Sequence, residues 1–153
     1  MKDASLFDSK VLIEEAVCGK EIGCAVIGSG EDLTVGKLDQ IVLSHGFFRI
    51  HQEDSPETGS ENSNFIVPAA IAASEYENVL REAVKTYRAL GCEGLARVDM
   101  FLTEDGRVVL NEVNTMPGLT SYSRYPRMMA AVGLPLSKLI DLLICHALER
   151  GGR

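Results

Sequence analysis

Four polar side chains stand out for what they could do together: Arg97 and Asp99 in the run 94–102, and Glu112 and Asn114 in the run 107–114. Between the runs lies Glu104-Asp105-Gly106-Arg107, and Asp-Gly is a preferred two-residue hairpin turn. With Asp105-Gly106 as the loop, Glu104 faces Arg107. Counting back puts Phe101 opposite Leu110, Asp99 opposite Glu112 and Arg97 opposite Asn114. Side chains alternate faces along a strand, so Arg97, Asp99, Glu112 and Asn114 share one face. Val98, Met100, Leu102, Val109 and Val113 take the other.

Opposed β-carbons lie about 4.5–5.5 Å apart, so two carboxylates placed there repel. Leu95, Phe101, Val108 and Leu110 are counted with them, which argues against an open solvated surface. Either one acid is protonated or a cation sits between the two. Mg²⁺ takes carboxylate and carbonyl oxygens at about 2.0–2.1 Å together with phosphate oxygens. Asp99, Glu112 and the amide oxygen of Asn114 supply that set, and Arg97, one pair away, can hold a phosphate. The alternative is a hairpin whose acids face water and pair with nearby arginines. A one-residue slip on one strand would separate the set.

The elements that must position these residues follow from periodicity. Residues 10–17 and 20–27 are β-rich runs, with Cys18-Gly19 as a tight turn between them, and 33–38 is a third run after the turn-rich 28–32. Residues 51–64 are polar and aperiodic, which in a compact domain means a functional lid or a disordered segment. Ser74-x-x-Glu77 is a capping-box pattern ahead of Val79, Leu80, Ala83, Val84, Tyr87 and Leu90, and Gly91 ends that helix. The last helix carries Leu136, Leu139, Ile140, Leu143, Ile144 and Ala147 on one face. Met128-Met129-Ala130-Ala131 reads as packing. Strands with helices packed against them make an α+β domain over 9–150.

At 153 residues with 46% hydrophobic content, the chain is long enough for one cored domain. Its net charge of −7 is scattered, which argues against a nucleic-acid or anionic-membrane partner but leaves room for a small anionic substrate held by local arginines. Cys18, Cys24, Cys92 and Cys145 form no zinc spacing and read as buried thiols of a reducing compartment. No run approaches the length of a membrane span and no signal-peptide pattern opens the chain, so the expectation is a cytoplasmic protein. No Gly-rich phosphate loop is present.

The run G-C-E-G-L-A-R-V-D-M-F, with V-L-N-E-V-N-T-M-P-G and the following T-S-Y-S, resembles the metal-binding core of D-alanine–D-alanine ligases, within the ATP-grasp superfamily. The resemblance runs from Val11 to the last helix and matches only the C-terminal part of such a ligase, without its N-terminal substrate domain and central domain. It implies a C-terminal ATP-grasp domain with an antiparallel sheet, ATP as co-substrate and two Mg²⁺ ions, Mn²⁺ being able to substitute. Asp99, Glu112 and Asn114 fall on the family's metal ligands, Glu112 bridging both ions. Arg97 matches the arginine that stabilises the transferring phosphoryl group, and the Gly118 backbone N–H an oxyanion contact. Glu14, Glu15 and Val17 match the adenine-holding hinge, and Glu21 the ribose-binding acid.

The segments F-R-I-H-Q-E and S-Y-S-R-Y-P are similar to those of vancomycin-resistance-type D-alanine–D-lactate ligases. The long loop would then be the lid that keeps water from an acyl phosphate. It lacks the Lys-Tyr pair of ordinary D-alanine–D-alanine ligases, and it lacks a lysine at Thr58. His51 takes the tyrosine's place near the second substrate, Ser123 and Arg124 hold that substrate's carboxylate, and Arg49 stands in for the phosphate contact. The implied substrates are D-alanine and D-lactate, joined for peptidoglycan precursors, in an enzyme that is a homodimer when whole. The part alone is expected to be inactive. A D-alanine or D-serine acceptor, or a non-catalytic remnant, are the readings this one competes with.

Overall fold

A computed structural model describes residues 4–46 and 62–151. Within them one six-stranded antiparallel sheet carries the site: β1 (Lys20–Ser29), β2 (Asp32–Val35), β3 (Asp39–Leu43), β4 (Ser63–Ile66), β5 (Gly94–Leu102) and β6 (Val108–Asn114). The strand order is β4-β3-β1-β5-β6, with β2 also paired to β1. β1 is long enough to serve both, pairing β3 through Glu21–Gly23 and β2 through Val26–Ser29. Three helices complete the fold: α1 (Ala73–Ala89), α2 (Arg124–Ala130) and α3 (Leu136–Gly151). The architecture is α+β, as the alternating runs predict.

The two sheet faces bury different sets of side chains because β-residues alternate. Ile22, Cys24, Val26, Ala96, Val98, Met100 and Leu102 point to α1 and meet Val79, Ala83 and Tyr87. Ala25, Ile27 and Leu95 point to the opposite face, where Tyr125, Met128 and Met129 of α2 and Leu139 of α3 cover one end. Met128 and Met129 are fully buried, so they pack as expected. The uncovered part of that second face is where the polar residues stand.

Several sequence expectations change in the fold. Residues 11–18 form no strand and lie exposed but for half-buried Val17, so Cys18-Gly19 is not a hairpin turn. The turn that does form joins β1 to β2, with Ser29 paired to Asp32. β3 and β4 arise where no strand is expected. Helix α1 starts earlier than Ser74: the Glu75 carboxylate accepts the Ala72 N–H at 2.9 Å, so Glu75 rather than Glu77 caps the first turn. Gly91 does end α1, at φ +63. On α3 only Leu136, Leu139 and Leu143 of the predicted face pack inward, while Ile140 and Ile144 are exposed. Cys18 and Cys145 are exposed and only Cys24 is fully buried.

Candidate active site

The β5–β6 hairpin brings Asp99 opposite Glu112 and Arg97 opposite Asn114. The turn, however, is one residue longer than Asp105-Gly106. Thr103 N–H donates to Arg107 O at 2.9 Å, Gly106 N–H to Thr103 O at 3.0 Å, and Gly106 adopts φ +80. Phe101 therefore faces Val109, not Leu110, and the ladder shifts by one between Asp99 and Met100. The skipped residue is Asn111, a β-bulge, and it restores the register that the longer turn had displaced. Met100 faces Leu110 on the α1 side, and the polar face carries Phe101 and Val109 beyond the bulge.

The row continues across the sheet. Asp99 is also paired with Gly23 of β1, and Gly23 with Asp39 of β3. Asp39, Gly23, Asp99 and Glu112 thus lie side by side on four strands, three carboxylates and one position without a side chain. Arg124, from the start of α2, takes the room over Gly23. A β-carbon there would stand 2.4 Å from Asp39 Oδ1, 2.5 Å from Arg124 Nη2 and 3.0 Å from Asp99 Oδ1.

Arg124 grips Asp39 with a two-pronged ion pair, Nε to Oδ2 at 2.7 Å and Nη2 to Oδ1 at 2.8 Å, both groups buried. Its Nη2 lies 3.4 Å from Asp99 Oδ1, its Nη1 3.8 Å from Glu21 Oε1, and the guanidinium stands 5.6 Å from the Phe65 ring centre. Burial pulls the Arg124 pKa down, but hydrogen bonding and charge from Asp39, then Asp99 and Glu21, carry it above the usual arginine value. Arg97 donates to both Asp99 oxygens at 2.7–2.9 Å and lies 4.0 Å from Glu112, which is 61% exposed. Repulsion between the opposed acids is therefore met by a cation, the Arg97 guanidinium. Among the described residues, Glu21, Asp39, Asp99 and Glu112 against Arg97 and Arg124 leave a net charge of −2.

Burial, then the charges of Asp39 and Asp99, push the Cys24 thiol well above its ordinary range, so this cysteine stays protonated beneath the row. Beyond β6 the Asn114 amide oxygen accepts the Met116 N–H at 3.0 Å. The chain then folds back so that a β-carbon at Gly118 would fall 2.7 Å from Ser123 Oγ, which itself lies 2.6 Å from Thr120 Oγ1. At the other end of the hairpin, Glu15, Ala16, Val17 and Cys18 wall a cleft of ≈ 530 Å³ against Thr103, Glu104, Asp105, Arg107 and Val109.

The family profile described as "D-ala D-ala ligase C-terminus" matches residues 1–145. The chain belongs to this ligase family. A Streptomyces coelicolor protein provisionally named a D-alanine–D-lactate ligase is 63% identical over 97% of the chain and 43% of its own length. The vancomycin B-type resistance protein VanB of Enterococcus faecalis is 63% identical over 96% of the chain and 43% of its length. The chain thus spans less than half of these curated relatives. Among solved structures, the VanG D-Ala:D-Ser ligase of Enterococcus faecalis superposes with a TM-score of 0.72 at 46% identity, over 85% of this chain and 36% of that one. The sheet with its helices is the C-terminal ATP-grasp domain of the D-Ala–D-Ala ligase family.

Against that family frame, the fold gathers Arg97, Asp99, Glu112, Asn114, Glu21 and Arg124 on one face of the sheet. Glu15 and Val17 reach the cleft beside the hairpin turn, whereas Glu14 is exposed and does not line it. Gly118 and Ser123 meet each other in the β6–α2 connection. His51 and Arg49, with the rest of 47–61, lie outside the described residues. Arg124, expected beside the second substrate's carboxylate, has its Nε and Nη2 edge on Asp39. Asp39 and Gly23 are absent from the sequence reading. A lone Asp in D-Q-I-V-L gives nothing to find until β3 is known to pair with β1 at Gly23.

Proposed function

We propose that this chain is the nucleotide- and metal-binding part of an ATP-dependent ligase that joins D-alanine to D-lactate for peptidoglycan precursors. In the whole protein the reaction would run in the cytoplasm, in a homodimer, with vancomycin resistance as its consequence. The domain concerned is 9–150. The observation that carries the reading is the opposed pair Asp99 and Glu112, with Asn114 on the same face and a residual charge of −2 among the described residues. These are hard oxygen donors of the kind Mg²⁺ selects, and the site's charge suits a divalent ion. Arg97 lies where the cation is needed and would yield Asp99 to it. The identity to a provisionally named D-alanine–D-lactate ligase and to VanB supports the substrate choice.

Asp99, Glu112 and Asn114 would hold magnesium, which neutralises charge on the transferring phosphoryl group when bound. Glu15 and Val17, with Glu14 and Glu21 near them in sequence, would receive the nucleotide's adenine and ribose. Arg97, released from Asp99, would turn its fixed guanidinium to phosphoryl oxygens, charge placed where charge develops. The Gly118 N–H would donate to the oxygen of the tetrahedral centre. Ser123, with Arg124, would orient the second substrate's carboxylate. His51 would act on the D-lactate hydroxyl, since imidazole changes charge near neutrality while D-lactate stays anionic. A carboxylate oxygen of D-alanine would first attack the γ-phosphorus of ATP, breaking its bond to the β–γ bridging oxygen, so that ADP leaves and D-alanyl phosphate forms. The hydroxyl oxygen then attacks its carbonyl carbon, phosphate leaves and the hydroxyl proton passes to base.

The test is ADP release and product mass with D-alanine, D-lactate, ATP and Mg²⁺, using the whole protein that contains this chain. D-alanyl-D-lactate is the expected product. A D-alanyl-D-serine product, favoured by the 46% identity to the VanG ligase, would keep the fold and metal reading and overturn the acceptor. No ADP with any acceptor would overturn the ligase reading.

A further inference from the structure

We propose that Asp39 is a positioning residue of this site: by fixing Arg124 across Gly23, it lets that arginine brace Asp99 without competing for the metal. The inference rests on the metal reading above.

Asp39 is fully buried and both its oxygens are bonded, Oδ1 by the Gly23 N–H at 3.1 Å and Arg124 Nη2 at 2.8 Å, Oδ2 by Arg124 Nε at 2.7 Å. A guanidinium offers its donors in a rigid plane, so a two-pronged bond on one edge fixes the direction of every other N–H. The fixed Nη2 then stands 3.4 Å from Asp99 Oδ1, a longer approach than the 2.7–2.9 Å of Arg97. At that distance Arg124 steadies the Asp99 carboxylate by charge and leaves Oδ1 to a closer partner, which here is Arg97 Nε at 2.9 Å. Arg97 lies on the other side, toward Glu112.

Take away the Asp39 charge and the balance changes. A guanidinium in a buried space keeps its charge, since arginine does not deprotonate in proteins, and must find another anion. The nearest are Asp99 at 3.4 Å and Glu21 at 3.8 Å. Arg124 would close on Asp99 and occupy the oxygen that a metal ion requires. Gly23 is part of the device, because any side chain there would fill the space through which Arg124 reaches both acids.

The experiment is a titration of the whole protein with Mn²⁺, followed by electron paramagnetic resonance in the presence of a non-hydrolysable ATP analogue. Asp39→Asn should weaken Mn²⁺ binding about 10- to 100-fold, the range for partners that orient metal ligands. Adding Arg124→Gln to it should recover part of the lost affinity without reaching that of the unsubstituted protein, because the released cation is gone and so is the brace on Asp99. A folded Asp39→Asn protein with unchanged Mn²⁺ affinity would overturn the proposal, and so would a double variant as weak as the single one. If Asp39→Asn does not fold, Gly23→Ala displaces the pair with both charges kept, and unchanged Mn²⁺ binding there would overturn it equally. An unsubstituted protein that binds no Mn²⁺ would overturn the metal reading itself.

Discussion

Asp39 and Asp99 sit two strands apart on one row of the sheet and are joined by a single guanidinium, that of Arg124. Nothing between them obstructs it, because the residue on the intervening strand is Gly23. The pair Asp39–Arg124 also ties β3 to the start of α2, so it bears on stability as well as on the site.

Removing one partner of a buried ion pair leaves the other without compensation, at a cost of about 3–5 kcal/mol. Asp39→Ala should lose up to that much in urea unfolding, less what Arg124 regains by closing on Asp99. Asp39→Ala with Arg124→Leu should lose clearly less, since no charge is then stranded. A double variant as unstable as the single one would mean that α2 docking, and not the charge, sets the cost.

Glu112 is exposed and its only described ion-pair contact is Arg97 at 4.0 Å. Glu112→Gln should therefore change stability by no more than about 0.5 kcal/mol. In the whole protein it should nonetheless reduce turnover by roughly 10²-fold or more, as expected for a group that acts on transition-state charge. Steady-state ADP release at saturating Mg²⁺ checks it, and near-normal turnover would remove Glu112 from the metal site.

Two buried tyrosines give the fold an alkaline limit. Tyr87 Oη lies 2.9 Å from the carbonyl oxygens of both Gly28 and Gly94, and Tyr125 donates to Val26 O at 2.8 Å. Burial, then the charges of Cys92 and Glu93, push Tyr87 up to about 12; burial also raises Tyr125. A raised acid pKa means the neutral form is favoured in the fold. The contribution is complete below the unfolded tyrosine value of about 10 and is lost as pH rises through the folded value. Urea midpoints should fall between about pH 10 and 12. Tyr87→Phe should cost about 1 kcal/mol at neutral pH and make that alkaline fall shallower.

His51→Tyr should move acceptor choice in the whole protein toward D-alanine at neutral pH, changing the ratio of ester to dipeptide by about tenfold or more. Product mass over a range of pH values measures the ratio. A ratio that does not move would strip His51 of the selecting role.

The hairpin shows how the right residues can be found through two compensating errors. Reading Asp105-Gly106 as a two-residue turn misplaces Phe101, which faces Val109, yet leaves Asp99 opposite Glu112 because the Asn111 bulge makes up the missing step. A bulge leaves little trace in residue type, and turn length depends on Thr103, whose hydroxyl accepts the Arg107 N–H and donates to the Arg107 carbonyl across the loop. The α3 stripe is a different case. Its apolar periodicity is real, but packing takes only Leu136, Leu139 and Leu143, because the sheet and α2 offer one narrow contact line.

By itself the sequence determined the α+β class, the helices α1 and α3, the strands β5 and β6, and the polar face with Arg97, Asp99, Glu112 and Asn114. Those follow from local periods and from turn chemistry, which act over a few residues. Only the tertiary structure decided that Asp39, sixty residues before Asp99, lies in the same row, and that Arg124 closes over Gly23 to join them. Pairing of β1 with both β3 and β5 brings these positions together, and no local pattern encodes which strands become neighbours. Partnership across strands is set by burial of the whole core, so a side chain's partner becomes visible only when the sheet is complete.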